Sequence, residues 1–151
     1  MLVCFDLDGT LVNCEHRLHH VKQKPKNWKK FFQLISNDTL NVSIALLYDT
    51  LVYMKNDVIL VTGRPESTRN DTENFLKNNN VYGFKELIMR NPKDHRPDHI
   101  VKTEQCDYIV DKYKTYPDIW FEDRSGVINA LRAKGIFVVD VEQKRFLNNN
   151  A

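Results

Sequence analysis

The sequence predicts an α/β fold, in which a central parallel five-stranded sheet is flanked by helices. Five short runs are almost continuously apolar, which is typical of strands buried on both faces of a sheet. Between these runs lie stretches with apolar residues at three- and four-residue steps, and this spacing indicates helices. Alternation of strands and helices is typical of parallel sheets, because each crossover returns along one face of the sheet.

The predicted elements follow one another along the chain. The strands are expected at residues 2–5, 58–61, 87–89, 119–121 and 136–141, and most of these runs are rich in β-branched residues. The clearest helix has apolar residues at positions 44, 47, 51 and 54. Further helices are predicted around residues 75–80, over 100–113 and over 127–133, and the last of them stops before Gly135.

The length of 151 residues is that of one ordinary domain, and we predict a single domain over residues 1–151. The segment from about 13 to 40 is too long for a plain crossover loop. Within it, Asn27 precedes the stretch WKKFF, which predicts a short amphipathic helix. We therefore predict a small lid-like insertion after the first strand. The Asn-rich tail, residues 146–151, is expected to fray.

Composition narrows the class of protein. Hydrophobic residues make up 42% of the chain, and the formal net charge of +2 indicates no particular partner. The three cysteines form no CxxC pair, which favours a reducing compartment, and we expect the cytoplasm, or the host cytoplasm for a viral protein. Asp6 and Asp8 interrupt the first apolar run, so we expect no signal peptide. No apolar stretch approaches the roughly 20 residues needed to span a bilayer, so we expect no membrane partner.

Polar and charged residues cluster where the predicted strands end. In parallel α/β sheets, ligands bind beyond the carboxyl ends of the strands, so these positions form the candidate site. The first strand is followed by Asp6, Asp8, Gly9 and Thr10, the second by Thr62, Gly63 and Arg64, and the fourth by Glu122, Asp123 and Arg124.

The two acids of the stretch FDLDGT, residues 5–10, fit phosphoryl transfer. A carboxylate can attack phosphorus and form an aspartyl-phosphate, and a hard divalent cation such as Mg²⁺ offsets the repulsion between the two anions. Asp6 could supply the attacking oxygen and a metal ligand, while Asp8 could protonate the leaving oxygen and later activate water. Glu122 and Asp123 could complete the metal site. The alternative is a turn with solvated acids, which the second pair of acids makes less favourable.

Two further groups could contact a phosphate. Thr62, Gly63 and Arg64 combine a hydroxyl, a backbone N–H and a guanidinium, although a strand–helix turn capped by Thr62 would give the same sequence. Lys102, near the start of a predicted helix, could pair with the nucleophile and neutralise the transferring phosphoryl group. Its alternative is a lysine on a solvated helix face.

Together these stretches resemble the four motifs of the haloacid dehalogenase-like (HAD) superfamily of phosphatases. They are FDLDGT, LVTGRP, the lysine of RPDHIVK, and FEDR, and they occur in the family's order over nearly the whole chain. The run MRNPKDHRPDHIVKTEQ, followed by WFEDRSGVINALRAKGI, is similar to the 3′-phosphatase domains of phage polynucleotide kinase/phosphatases. The resemblance implies a Rossmann-like HAD fold and a Mg²⁺-dependent hydrolase with a role in DNA repair.

The resemblance also implies roles for individual residues. Asp6 is expected as nucleophile and Asp8 as general acid and base, with Mg²⁺ held by Asp6, the Asp8 backbone carbonyl and Asp123, and assisted by Glu122. Phosphate or substrate contacts are implied for Lys102, Gly9, Thr10, Arg17, Thr62, Gly63 and Arg64. For Arg17, the alternative is a solvated surface charge. Close relatives carry Asp-Asp where this chain has Glu122-Asp123, so a direct and a water-mediated role of Glu122 both stay open.

Three functions remain open from the sequence. The first is a phosphomonoesterase that removes 3′-phosphates from nucleic-acid ends through an aspartyl-phosphate. The alternatives are a phosphatase for free nucleotides and a nucleic-acid-binding module with a vestigial phosphatase fold. The insertion carries many lysines together with Trp28, which could grip phosphates and stack a base, or could form a solvated face over the core. No GxxxxGK[ST] loop occurs, so 5′-kinase activity is not expected.

Overall fold

The computed structural model describes residues 1–142, and a five-stranded parallel sheet forms their centre. The strands lie in the order β5-β4-β1-β6-β7, with every neighbouring pair parallel. They are β1 (Leu2–Phe5), β4 (Asp57–Pro65), β5 (Glu86–Arg90), β6 (Ile119–Glu122) and β7 (Val138–Asp140). Two short strands, β2 (Val12–Asn13) and β3 (Thr39–Leu40), form a separate antiparallel pair. The α/β class and the five-stranded parallel sheet predicted from the sequence are therefore confirmed.

Within residues 1–142, six helices connect the strands. They are α1 (Glu15–Lys22), α2 (Trp28–Gln33), α3 (Val42–Tyr53), α4 (Arg69–Asn78), α5 (Asp98–Tyr113) and α6 (Ser125–Ala133), with short 3-10 turns at Ile35–Asn37 and Glu66–Thr68. The predicted helices are all present. α5 and α6 each begin two residues before the predicted start, because the polar first turn of a helix carries no apolar periodicity.

The second strand was predicted too short. β4 continues from Asp57 to Pro65, so Thr62, Gly63 and Arg64 are its last residues rather than a turn that follows it. The pairing of β4 with β5 shifts register between Val61 and Pro65, which lets the polar end of β4 remain extended beyond the apolar run. The last strand is shorter than predicted, because β7 covers only Val138–Asp140.

Both faces of the sheet are covered, which explains the nearly continuous apolar runs. Val3 and Phe5 of β1 belong to one buried cluster, whereas Leu2 and Cys4 belong to the cluster on the opposite face. Phe5 stacks on the Phe121 ring of the neighbouring strand, with ring centroids 4.4 Å apart. Alternation of side chains across a strand buried on both faces leaves no polar positions in the run.

The insertion after β1 holds α1, the β2–β3 pair and α2. The predicted helix after Asn27 is confirmed as α2, and the Asn27 side chain accepts a hydrogen bond from the Lys30 N–H at 3.0 Å. α1 and the β2–β3 pair were not predicted, because they are short and carry no clear periodicity. The predicted fraying of the tail falls on residues outside the described part of the chain.

Two expectations about the chain as a whole concern its cysteines and its helices. Cys4, Cys14 and Cys106 are buried free thiols. Within residues 1–142, none of the helices has both the length and the apolar character required to cross a bilayer.

Candidate active site

The carboxyl ends of β1, β4 and β6 meet the start of α5, and Lys102 lies at the centre of this junction. Its ammonium group donates to Asp6 Oδ1 at 2.6 Å, to Glu122 Oε2 at 3.0 Å and to the Val61 carbonyl at 2.9 Å. Lys102 is only 3% exposed, so the solvated-face alternative for this residue is wrong. The predicted pairing of the lysine with the first acid is present in the structure.

Three carboxylates lie together beside Lys102. Asp6, Glu122 and Asp123 each offer an oxygen within 4.8 Å of the others, and Asp123 Oδ1 is buried without a hydrogen-bond partner among the described residues. Asp6 and Glu122 are buried and Asp123 is partly buried, so one lysine does not balance the three carboxylates, and a hard divalent cation takes oxygen ligands of this kind. The donor set therefore fits Mg²⁺, and the structure brings the three side chains predicted as metal ligands into one cluster.

The pKa values within the cluster reflect this surplus of negative charge. Burial and the adjacent Glu122 charge raise the pKa of Asp6 well above its usual value, although Lys102 acts in the opposite direction. The same two causes raise the pKa of Asp123 to about 7. Burial also opposes ionisation of Glu122, but the charge and hydrogen bond of Lys102 outweigh it and lower the pKa of this carboxyl. The Glu122–Lys102 pair is thus ionised, and Asp6 and Asp123 are the groups that a bound cation would favour in their charged form.

The turn after β1 contacts both Asp6 and Asp123 of this cluster. Gly9 has a positive φ of +84°, and a Cβ atom at this position would overlap the Asp123 carboxylate. Thr10 is fully buried, and its hydroxyl donates to Asp6 Oδ2 at 3.2 Å. Both residues were predicted to contact substrate, and the structure shows that they support Asp6 and Asp123. A direct contact with substrate stays a prediction.

The side chain of Asp8 is not part of the carboxylate cluster and contacts a pair of arginines. Arg64 Nη2 lies 2.6 Å and Arg17 Nη2 2.8 Å from Asp8 Oδ1. Arg17 is 0% and Arg64 1% exposed, so Arg17 is not the solvated surface charge of the alternative interpretation. Burial opposes ionisation of Asp8, but the charge and hydrogen bonds of Arg64 and the charge of Arg17 outweigh it and lower the pKa of Asp8.

A second buried acid, Asp38, completes a network of two acids and two arginines. It accepts from Arg17 Nε and Nη2, both at 2.7 Å, and from Arg64 Nη2 at 2.9 Å. The exposed side of the network is closed by His16, whose Nε2 lies 2.7 Å from Asp38 Oδ1. Sequence reasoning missed Asp38, because its partners are 21 and 26 residues away in the chain and no local motif marks it.

Asp98 was also missed, although the sequence contained a signal for it. It opens α5 one turn before Lys102, on the same face of the helix, and it pairs with Arg90 and with Arg124. Arg90 also donates to the Gly63 carbonyl at 3.1 Å, so this second ion cluster links β4, β5 and α5. Arg124 therefore braces the start of α5.

Thr62 does not cap a helix. It is 1% exposed, and its hydroxyl accepts a hydrogen bond from the Arg64 N–H at 3.1 Å within the end of β4. α4 begins only at Arg69, after the intervening 3-10 turn. The Gln105 side chain donates to the Thr62 carbonyl at 3.1 Å, which ties this strand end to α5. Thr62 and Gly63 thus lie at the site, and their predicted phosphate contacts remain predictions.

The family model that describes the polynucleotide kinase PNKP phosphatase domain matches residues 1–146. The chain belongs to this family. Membership places it among the phosphatases of the HAD superfamily and confirms the resemblance noted in the sequence. No curated protein matches the chain in sequence.

Solved structures agree with this assignment. The chain is 26% and 27% identical to proteins in two structures of a Pnkp1/Rnl/Hen1 complex, one of them described as an RNA repair complex, with TM-scores of 0.74 and 0.72. It is covered to 93% in both, but it spans less than half of those chains, 42% and 45%. A haloacid dehalogenase-like hydrolase from Streptococcus pneumoniae, 15% identical, shares the fold at a TM-score of 0.67, with 92% of this chain and 83% of that one covered.

Proposed function

We propose that this phosphatase removes 3′-phosphates from nucleic-acid ends through a phosphorylated Asp6, with the help of Mg²⁺. The observation that carries the proposal is the position of Asp6, which Lys102 and Thr10 hold from two sides at the edge of the carboxylate cluster. An aspartate fixed in this way has one orientation toward an incoming phosphate. A protein that only binds nucleic acid would have no use for three clustered carboxylates beside the phosphate position, since they repel the phosphate.

The two steps divide between Asp6 and Asp8. In the first, an Asp6 oxygen attacks phosphorus, the ester P–O bond breaks, and Asp8 gives a proton to the leaving 3′-oxygen. In the second, Asp8 takes a proton from the water that attacks the phosphoryl group, and inorganic phosphate leaves Asp6. Arg17 and Arg64 keep Asp8 ionised in the free protein, which suits the second step. A substrate phosphate that competes for these arginines would raise the pKa of Asp8 for the first step.

Mg²⁺ would be held by Asp6, Asp123 and the backbone carbonyl of Asp8, and it would neutralise the phosphate charge when bound. Glu122 has both oxygens engaged: Oε2 accepts from Lys102, and Oε1 accepts from the Asp123 and Arg124 N–H groups at 3.2 and 3.4 Å. Asp123 Oδ1, in contrast, lacks a partner among the described residues. We therefore assign Glu122 to a water-mediated contact with the ion and Asp123 to a direct one.

Two comparisons support a nucleic-acid substrate: the family to which the chain belongs, and the complexes in which similar proteins were solved. The matching family is that of a polynucleotide kinase phosphatase domain, and two structures of 26–27% identity belong to an RNA-repair assembly. The three buried free thiols agree with a reducing, cytoplasmic setting. A phosphatase for free nucleotides would use the same residues, so the substrate has to be decided by experiment.

The test compares phosphate release from a 3′-phosphorylated oligonucleotide, as DNA and as RNA, with release from 3′- and 5′-mononucleotides. Each reaction is run with Mg²⁺ and with a chelator. We expect the highest kcat/KM on a 3′-phosphorylated oligonucleotide and none with the chelator. Asp6→Asn should abolish release, whereas Asp111→Asn, which removes an exposed acid in the last turn of α5, should leave it unchanged.

Each alternative has its own outcome. Higher kcat/KM on free mononucleotides would replace the proposal with the nucleotide phosphatase. Full activity in the presence of the chelator would show that the reaction needs no divalent cation. Retained activity in Asp6→Asn would exclude the aspartyl-phosphate, since the amide cannot attack in its place.

A further inference from the structure

The insertion presents a half-exposed aromatic cluster surrounded by lysines, and the proposed reaction uses none of these residues. Trp28 opens α2 and is 47% exposed, whereas Phe31, one turn later, is 5% exposed. The Trp28 ring stands edge-on to Phe31 at 5.8 Å and lies nearly parallel to Phe32 at 5.9 Å. The buried phenylalanine fixes the tryptophan, so part of a large flat ring stays in solvent in a defined orientation.

The charge around this ring is of one sign. Lys22, Lys24, Lys26, Lys29 and Lys30 are all exposed, and none of them forms an ion pair with a residue in the described part of the chain. Glu15 is the one acidic residue between positions 15 and 37. Lys26 Nζ lies 5.6 Å from the centre of the Trp28 ring. A surface with several unpaired lysines around an aromatic ring complements a polyanion that carries flat bases.

The aromatic cluster is joined to the catalytic acid through one residue. The Arg17 guanidinium lies 4.1 Å from the centre of the Phe31 ring and donates to the Phe31 carbonyl at 3.3 Å. The same guanidinium contacts Asp8 Oδ1 at 2.8 Å. Trp28 is therefore linked to Asp8 through Phe31 and Arg17, by three successive contacts of 5.8, 4.1 and 2.8 Å. This places the ring within reach of a nearby base of a strand whose 3′-phosphate is at Asp6.

From this arrangement we infer that Trp28, with Lys26, Lys29 and Lys30, forms a docking platform for the single-stranded segment next to the 3′-phosphate. A base stacks on the exposed part of the Trp28 ring, and the lysines bind the backbone phosphates of the same segment. The inference rests on the proposed 3′-phosphatase function. It adds that the protein also binds the base and the backbone phosphates next to the reacting phosphate. It predicts that the protein prefers a strand end to a single nucleotide because of the insertion.

The first experiment measures the ratio of kcat/KM for a 3′-phosphorylated oligonucleotide to kcat/KM for a 3′-mononucleotide. Stacking of one base on an aromatic side chain corresponds to a factor of about 5 to 150 in affinity, so Trp28→Ala should lower this ratio by about tenfold or more. Trp28→Phe keeps an aromatic face and should restore most of it. The control is Tyr116→Ala, which removes an exposed ring from the loop before β6. This loop lies at the amino ends of the strands, away from the site at their carboxyl ends, so the ratio should stay unchanged.

The ratio of the two kcat/KM values distinguishes a loss of strand binding from a loss of folded structure. Because Phe31 packs on Arg17, a variant that merely loosens α2 would disturb Asp8 and slow both substrates equally. An unchanged ratio in Trp28→Ala would overturn the platform while leaving the 3′-phosphatase proposal intact. The double variant Lys29→Glu/Lys30→Glu should lower the ratio too, and more so at low salt. The matched variant Lys55→Glu/Lys77→Glu changes a lysine in the turn after α3 and one in the last turn of α4, both outside the insertion, and should leave the ratio unchanged.

The second experiment is independent of turnover. The chain has two tryptophans, and Trp120 is fully buried, so fluorescence that responds to an external ligand comes from Trp28. We expect an unphosphorylated single-stranded oligonucleotide to quench this emission at low salt, and Trp28→Phe to remove the quenching. No quenching at any concentration that saturates the enzyme with oligonucleotide would overturn the platform. If the wild-type protein released no phosphate from any ester, quenching would still support the platform while the proposed reaction failed.

Discussion

Asp38 lies 2.9 Å from Arg64, and it is the residue through which the insertion is tied to the end of β4. Both side chains are completely buried, and the same carboxylate holds Arg17 from within the insertion. The two arginines in turn hold Asp8. The orientation of Asp8 therefore depends on a residue that no motif marks.

Removing Asp38 should destabilise the protein strongly. Asp38→Ala leaves two buried guanidinium groups with one carboxylate between them, and an uncompensated buried charge costs about 3–5 kcal/mol. We expect a loss of this size in the free energy of unfolding, measured by urea titration. The control is Asp57→Ala, which removes an exposed ion pair with Lys85 and should cost at most about 1 kcal/mol. Similar losses in both variants would show that the Asp38 network does not stabilise the fold.

Replacing Asp8 should make the rate depend on the leaving group. In Asp8→Asn, a nucleotide 3′-oxygen has no proton donor, and we expect a loss of about 10²- to 10⁴-fold in kcat. Nitrophenolate leaves without a proton, so p-nitrophenyl phosphate should still phosphorylate Asp6 and give a burst of nitrophenolate before slow hydrolysis. The burst also shows that the variant is folded. Equal losses on the two substrates, with no burst, would assign the proton transfers to another group.

Stabilisation by Mg²⁺ should increase with pH. The pKa of Asp123 is raised from 3.8 to about 7, so between these values the folded protein binds a proton that the unfolded chain has released. Without the ion, the contribution of Asp123 therefore makes stability fall as pH rises through this window. Mg²⁺ needs the ionised carboxylate and competes with that proton. The increase in Tm on adding Mg²⁺ should be small near pH 5 and largest near pH 8.

The control for this pH dependence is Asp123→Asn, measured by calorimetry under the same conditions. It removes the titrating ligand and should reduce the effect of Mg²⁺ on Tm at every pH. Asp111→Asn should behave as the wild-type protein. An increase in Tm that is the same at low and high pH would contradict the assignment of Asp123 as a direct ligand.

Gly9→Ala should weaken Mg²⁺ binding more than it affects folding. The new methyl group would overlap the Asp123 carboxylate, and the positive φ of this residue disfavours alanine. We expect the Mg²⁺ concentration needed for half-maximal activity to rise about 10- to 100-fold, as for other changes that displace a metal ligand. Gly126→Ala is the matched control, because no atom lies within 4 Å of its added Cβ. Unchanged metal dependence in Gly9→Ala would mean that Asp123 is not held by this turn.

The fold and the acidic part of the site could be predicted from the sequence because their signals are local. A strand buried on both faces has to be apolar throughout, and the residue after it lies at the binding edge of a parallel sheet. Asp6, Glu122 and Asp123 were found in this way, and Lys102 was found from its position near the start of a predicted helix. The structure brings all four together.

The arginine network could not be predicted, because it depends on tertiary packing. Arg17 belongs to a helix with little apolar periodicity, and nothing near it in the chain reveals that it is completely buried. Its burial depends on Asp38 at the other end of the insertion and on Arg64 in β4. The boundary of β4 was missed for a related reason, since its last residues are polar and stay extended through pairing with β5.

The most direct test of the account is to look for the phosphoryl group on Asp6 during turnover. Wild-type protein mixed with Mg²⁺ and a 3′-phosphorylated oligonucleotide is quenched in acid within the first turnovers, digested and analysed by mass spectrometry. We predict that the peptide containing Asp6 gains the mass of one phosphoryl group, that the gain disappears when substrate is exhausted, and that Asp6→Asn shows none. Phosphate release from the oligonucleotide with no phosphorylated peptide at any time, or with the group on a different residue, would contradict the account.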